Sequence, residues 1–573
     1  MALIRPDGRS ADQSVEPPPE RRSCRLRPAP RVRQVITGWA VRLKVLSTIV
    51  FGRWGTLVPL TIAVALVRIT MTMVLPYDRV VNLFEDDAFY YFGIARNIAH
   101  GHGSTFNSLD LTNGYHPLWL LLLVPIFEFA DGRVALVEVT ILSGALFVLS
   151  GLLLKRLGDL LRSPHLVAAS AAPLLLVGAV GPTVWFAGME TGLLLAGVLA
   201  VAVFFVRWDG LAAPDLSSRN TYLLGVLITW VILARLDAVF PMTLLGLLAM
   251  WTWRARARTE IIRLGLGMVG PPVAALSVYL AVNVLIFGTA LPVSGQAKAL
   301  GGNLINFQVG WQFLTAPLFA GGVPSYWGAA AVVVVPLAAV WARTGPLRDA
   351  TRFSLVILLG GVLTILYYAL TSTWKLWPWY FYSAPLALAL AGPALLIRFN
   401  VRQRSAAALA IAASLGVLVL SAANAGYLSS ADSIRGAWIE SGPRVAAQLA
   451  SLDPVDAPIA MGDRAGSLGF HLRRPLVHLE GLVNSAEYLD ALREHNVNEF
   501  LRERQVTFYA RADTSPGIPK LEAGPTCVEF LEPEQGAGIK AGIVVCAPDL
   551  VTEVPLSDGT AYRVWRYRPE LNR

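Results

Sequence analysis

The sequence predicts an α-helical integral membrane protein. It reads as about eleven transmembrane helices, a large first outer loop carrying interfacial helices, and a C-terminal soluble α/β domain on the outer face. Three observations carry this. Of 573 residues, 55% are hydrophobic and 15% charged, whereas soluble domains carry about 25% charged residues. Many apolar runs reach the roughly 17–25 residues a membrane helix needs. Lys and Arg cluster at the ends of alternate runs, as they do in cytoplasmic loops. The net charge of +9 therefore belongs to membrane topology, and nucleic acid is not an expected partner.

The apolar runs lie at 56–76, 134–154, 164–181, 189–206, 221–234, 237–253, 262–286, 327–342, 353–371, 378–397 and 405–424. "KRLGDLLR" follows the second, and "RARAR" at 254–258, "RTGPLRDATR" at 343–352 and "RFNVRQR" at 398–404 follow later ones. Placing these clusters in the cytoplasm puts the N-terminus inside and the C-terminus outside. The run "HPLWLLLLVPIFEFA", 116–130, is only about 15 residues long and holds Pro125 and Glu128. Counted as a span, it would invert every later cluster. It is read as an interfacial or re-entrant segment.

Three regions follow. Residues 1–53 form a disordered basic cytoplasmic tail, 54–424 the polytopic membrane domain, and 425–573 an extracytoplasmic α/β domain. The last region carries strand-like runs at 506–510, 541–548 and 561–569, and holds Cys527 and Cys546, either a disulfide or two buried thiols. No period of 20–50 residues repeats, and no P-loop, CxxC pair or HExxH occurs.

The charge-based topology gathers the unusual polar residues on the outer face. The first loop begins "NLFEDDAFYYFGIARNIAHGHGSTF", with Glu85, Asp86 and Asp87, and continues through Tyr115 and His116. Later outer turns bring Glu190, the pair Arg235 and Asp237, Lys298, and Lys375 within "TSTWKLWPWYFY". Ionisable groups at membrane depth are costly and usually functional. Each also has a plain alternative. Arg235 and Asp237 form a structural ion pair, Glu190 caps a helix, Lys298 and Lys375 snorkel, and the Trp cluster is an interfacial belt. After Asp87, Phe89, Phe92, Ile94 and Ile98 recur near helical spacing, which predicts an amphipathic helix lying on the outer surface. One acid would suffice to cap it. Adjacent carboxylates instead favour a cation or a proton. An outer carboxylate beside basic groups suits transfer of a sugar from a lipid phosphate, with the acid deprotonating the acceptor hydroxyl and the cations holding the departing phosphate.

The segment "EDDAFYYFGIARNIAHGHGSTFN" followed by "TNGYHPLW" resembles the first-loop signature of polytopic glycosyltransferases of the C superfamily. The similarity is to members akin to mycobacterial arabinofuranosyltransferases and protein mannosyltransferases. "GMETGL" at 188–193, "ARLDAVFP" at 234–241, "FGTALPVSGQAKA" at 287–299 and "GDRAGSLGFHLRRPLVHLEGLVN" at 462–484 resemble further elements. The third departs from the family pattern at Val293-Ser294-Gly295, where an Asn-Thr pair with an aromatic is common. The resemblance implies a polyprenyl-phosphate sugar donor and a cell-envelope glycan, lipid or protein acceptor in the plasma membrane. It implies Asp86 as catalytic base with Asp87 second, and Lys298, Arg235 or Lys375, with His116, facing the lipid phosphate. Some members hold a divalent metal at the acids and others do not, and Asp-Asp without further ligands does not decide between them. A flippase of lipid-linked sugars and a non-catalytic assembly protein are the alternatives. The first would want charges at mid-membrane and repeated halves.

Overall fold

The computed structural model describes residues 56–176, 185–301, 305–315, 326–402, parts of 405–419, 436–513, 527–534 and 538–572. The basic tail, residues 1–53, lies outside the described residues. Helices occupy ten of the eleven apolar runs, and the last, 405–424, falls largely outside the described residues. Six are long and apolar enough to cross a membrane: Leu57–Val74, Gly132–Leu160, Leu236–Trp253, Arg258–Phe287, Gly345–Thr371 and Pro378–Arg398. Thr191–Arg207, Ser218–Ala234 and Trp327–Trp341 are shorter apolar helices, and Pro164–Leu176 has 13 residues. The described residues are therefore mostly helical with six candidate spans, against about eleven read from the sequence.

The run at 116–130 folds as Pro117–Phe129, 13 residues. At 1.5 Å per residue it rises roughly 20 Å, short of a hydrocarbon core of about 30 Å. Proline at its first position presets the backbone and removes an amide that would lack a partner.

The C-terminal region is the expected α/β unit. Strands β1 (Ile459–Met461), β2 (Leu476–His478), β3 (Phe508–Asp513), β6 (Leu550–Pro555) and β7 (Ala561–Arg566) form one sheet in the order β2-β1-β3-β7-β6. β1 pairs parallel with β2 and β3, while β7 pairs antiparallel with β3 and β6. Strands β4 (Cys527–Glu532) and β5 (Ala541–Cys546) form a separate antiparallel hairpin, with Cys527 opposite Cys546 and the two joined in a disulfide. That settles the two cysteine alternatives in favour of the bridge.

One sequence expectation is corrected. The helix Asp86–Ala99 does not lie on a surface. Phe89, Phe92 and Ile94 are fully buried, and Tyr90 and Tyr91 nearly so, on faces the apolar period leaves to solvent. The C-terminal α/β region packs on the helix alongside the membrane helices: Phe89 and Phe92 meet Phe470, Tyr90 meets His478, and Phe92 also meets Phe127. Among the described residues, one continuous core runs from the membrane helices through this helix into the C-terminal α/β region.

Candidate active site

The acidic stretch is fixed from three sides. Arg68, buried in the first long helix, donates to the Leu83 carbonyl (3.2 Å). The Glu85 amide donates to the Ala187 carbonyl (3.0 Å). Gly188 takes φ +80°, and a Cβ there would lie 2.7 Å from Phe92 and 2.8 Å from Ala88, so glycine is required where the "GMETGL" turn docks. Trp119 donates its indole N–H to the Gly188 carbonyl (2.9 Å). These contacts bring the turn carrying Glu190 against the helix carrying the acids.

Asp86 and Asp87 then diverge, because neighbours on a helix point about 100° apart. Asp86 turns to the C-terminal α/β region, where its carboxylate accepts from the amides of Gly466 (2.9 Å) and Ser467 (2.8 Å). Gly466 permits this approach, since a Cβ would sit 2.1 Å from the Asp86 carbonyl oxygen. Burial pushes the Asp86 carboxyl up to about 7, against the pull of those two amide hydrogen bonds. Asp87 turns inward and lines a cavity of about 480 Å³, a size typical of small-molecule sites. Burial pushes its carboxyl up to about 6, Lys298 pulls it down, and Asp463 and Glu190 push it up.

Lys298 is the one lysine or arginine among the described residues lining this cavity. It sits on a short helix, Val293–Ala299. Val293, Ala297 and Leu300 of this segment are buried in a second core with Leu479, Tyr488 and Leu489 of the C-terminal region. The departure from the family pattern at Val293 thus supplies an apolar anchor. Asn113 fixes the helix start, its side-chain oxygen accepting from the Val293 amide (2.9 Å). Lys298 Nζ donates to the Tyr380 hydroxyl (2.7 Å).

Behind this face lies a buried ionic network. Arg235, 1% exposed, donates through Nε to both Asp237 oxygens (3.0 and 3.1 Å), and through NH1 to Glu190 (3.3 Å) and the Trp379 carbonyl (3.2 Å). Its guanidinium lies 4.2 Å from the Tyr380 ring centroid. Glu190 also accepts from the Tyr91 hydroxyl (3.1 Å) and has His116 Nε2 at 3.7 Å. His116 Nδ1 accepts the Leu236 amide (3.3 Å), which places the ring proton on Nε2. Burial, with Arg235 and Lys298 nearby, pushes His116 down to about 3, so it is a neutral donor rather than a cation.

The alternative of an Arg235–Asp237 structural ion pair therefore describes part of the site; Glu190 stands at the N-cap of Thr191–Arg207 without a side-chain capping bond and joins that pair instead, and Glu190 and Asp237 also reach the cavity wall. We expect Glu190→Gln to lower stability by about 3 kcal/mol, because it leaves a buried guanidinium with one carboxylate in place of two. Thermal unfolding in detergent checks this, and an unchanged midpoint would remove the network from the stability account.

Of the other expected residues, Tyr115 lines the cavity and shares a hydrogen bond with Ser104 (2.8 Å). Lys375 does not reach it: it is exposed, with Nζ 5.0 Å from the Trp377 ring. The Trp cluster divides. Trp379 and Tyr380 line the cavity, whereas Trp377 is partly exposed and stacks on Trp379. Sequence reasoning did not single out Tyr90, Tyr91, Tyr279 and Tyr368, which also line it. Their one signal was aromatic density beside charged turns. Among the described residues, no three His, Cys, Asp or Glu side chains converge to hold a metal ion.

ArnT from Cupriavidus metallidurans, in the apo state, aligns with a TM-score of 0.50 at 15% identity, over 92% of this chain and 98% of that one. The chain has the fold of ArnT. The superfamily resemblance of the first-loop motif therefore holds at the level of fold. AglB, the oligosaccharyltransferase from Archaeoglobus fulgidus in complex with an inhibitory peptide and a dolichol-phosphate, aligns with a TM-score of 0.47 at 12% identity. That alignment covers 81% of this chain and 70% of AglB. No protein-family model matches the chain, and no curated protein matches it significantly.

Proposed function

We propose that this protein is a membrane glycosyltransferase that moves a sugar from a polyprenyl-phosphate donor to an envelope glycan, lipid or protein on the outer face of the plasma membrane, with inversion. The observation that carries the reading is that Asp87 and Lys298 line one cavity, with the lysine charge acting on the carboxyl. Leu276 and Leu280 of the mostly exposed helix Arg258–Phe287 form the apolar side along which a polyprenyl chain enters.

Asp87 accepts the proton of the acceptor hydroxyl as its oxygen attacks the anomeric carbon. The bond between that carbon and the phosphate oxygen breaks, and the polyprenyl phosphate leaves with the electron pair. Lys298, held by Tyr380, stabilises the charge that grows on it. His116, neutral with its proton on Nε2, donates a hydrogen bond and adds no charge. Asp86 positions its neighbour by joining the first-loop helix to the outer domain.

The direct test is purified protein with a labelled synthetic polyprenyl-phosphate sugar and envelope acceptors. Transfer with release of polyprenyl phosphate supports the proposal, whereas movement of intact donor across proteoliposomes without turnover would replace it with transport.

The pH profile is a second test. A base must be unprotonated, so kcat/KM is expected to rise with pH through about 6, the raised value of Asp87, and to level off above it. A limb near 4, the usual carboxylate range, would show that another acid is the base.

A further inference from the structure

A second hollow lies at the far end of the helix that carries Asp237. That helix, Leu236–Trp253, starts at the catalytic cavity and runs 18 residues away from it. Its rise is roughly 27 Å, close to the thickness of a hydrocarbon core. Near its other end it packs beside Gly345–Thr371, and the two enclose a hollow of about 510 Å³.

The hollow has two chemically different parts. Leu244, Leu248, Leu355 and Leu359 line its inner stretch. Arg254 and Arg352 line it where the helices reach the membrane boundary, and Leu244 stands about 15 Å along the helix from Arg254. The groove is open to the side, with Trp251 65% and Leu359 48% exposed. Trp251 holds Arg254 in place: the guanidinium lies 4.1 Å from the ring centroid and donates to the Trp251 carbonyl (2.7 Å).

Two arginines close by are ion-paired. Arg256 pairs with Glu260, and Arg348 with Asp349. Arg254 and Arg352 form no ion pair among the described residues, and both are exposed. Arg352 acts only electrostatically on Asp349, which Arg348 already pairs. Two exposed guanidiniums outside any ion pair, ending an apolar groove of acyl-chain length, suit an anion that carries its own hydrocarbon. Guanidinium binds phosphate oxygens in pairs, basic pockets between membrane helices take anionic headgroups, and tryptophan favours the headgroup level.

We propose that this groove binds an anionic phospholipid of the leaflet facing away from the catalytic cavity. Its phosphate bridges Arg254 and Arg352, and an acyl chain lies along Leu248 and Leu244 against Leu355. The site stands on the opposite face from the sugar chemistry and does not depend on it.

Native mass spectrometry of the full chain in detergent, titrated with phosphatidylglycerol or phosphatidylcholine, tests this. We expect one phosphatidylglycerol to be retained on the order of tenfold more tightly than phosphatidylcholine. The double variant Arg254→Gln/Arg352→Gln removes that preference, and Leu248→Trp, which fills the groove without changing charge, weakens retention. Unchanged thermal unfolding of the exposed double variant shows that it folds. Equal retention of the two lipids by the wild type overturns the proposal, as does a preference that survives the double variant. Displacement of phosphatidylglycerol by polyprenyl phosphate also overturns it, since the groove would then belong to the donor. A protein that keeps the lipid preference but transfers no sugar contradicts the proposed function and leaves this site standing.

Discussion

Replacing Asp87 with Asn is expected to lower sugar transfer by roughly two to four orders of magnitude, the range for a positioned general base. Asn has nearly the shape of Asp and cannot accept the proton. The cavity and the donor-phosphate contact should survive, so the loss falls on kcat and not on donor affinity. Equilibrium binding of a non-transferable donor analogue separates the two. The comparison with Asp86→Asn identifies the base. Asp86 makes its two hydrogen bonds to the Gly466 and Ser467 amides, outside the cavity lining. An amide side chain keeps one of those acceptors, so Asp86→Asn should lower stability by about 1–3 kcal/mol and reduce transfer much less. If Asp86→Asn abolishes turnover in a folded protein while Asp87→Asn retains it, the roles are reversed.

The ambiguity between the two acids shows where the sequence stops being readable. Local pattern located the first-loop helix, because Phe89, Phe92 and Ile94 keep a helical spacing. Its start at Asp86 was equally legible. Which of two adjacent acids turns inward is decided by what covers the helix, and that cover is residues 466–478, nearly four hundred positions away. No periodicity encodes so distant a contact. For the same reason the helix reads from its sequence as half-exposed, although the membrane helices and the C-terminal α/β region together bury it.

The lysines make the same point. Lys298 and Lys375 stand in similar outer turns and look alike in sequence. Val293, Ala297 and Leu300 place an apolar face on one side of the Lys298 segment, and burying that face in the C-terminal α/β region aims the lysine at the cavity. In the Lys375 segment the buried side chains are its two neighbours, Trp374 and Leu376, so the lysine between them turns outward and stays exposed over Trp377. The membrane helices were the most legible part, since apolar length alone marks them. The short strands Ile459–Met461 and Leu476–His478 were the least, at three residues each.

Lys298→Gln is expected to produce two coupled effects. The first is a loss of roughly 10²–10³ in kcat, the scale for removing one group that stabilises charge growing in the transition state. Product affinity should fall with it, because polyprenyl phosphate carries the charge that the lysine faces. The second effect appears on Asp87. Burial holds that carboxyl above its usual range, and the Lys298 charge is the largest influence drawing it back down. Without the lysine, the carboxyl must lose its proton against burial and against Asp463 and Glu190 alone, so its value moves further above 6. The acidic limb of the pH profile should therefore shift to higher pH in Lys298→Gln and return in Lys298→Arg, which restores the charge but not the ammonium geometry. A lysine that merely braced Tyr380 would leave the limb in place. Residual turnover with an unmoved limb would therefore take Lys298 out of the chemistry, even if the rate had dropped.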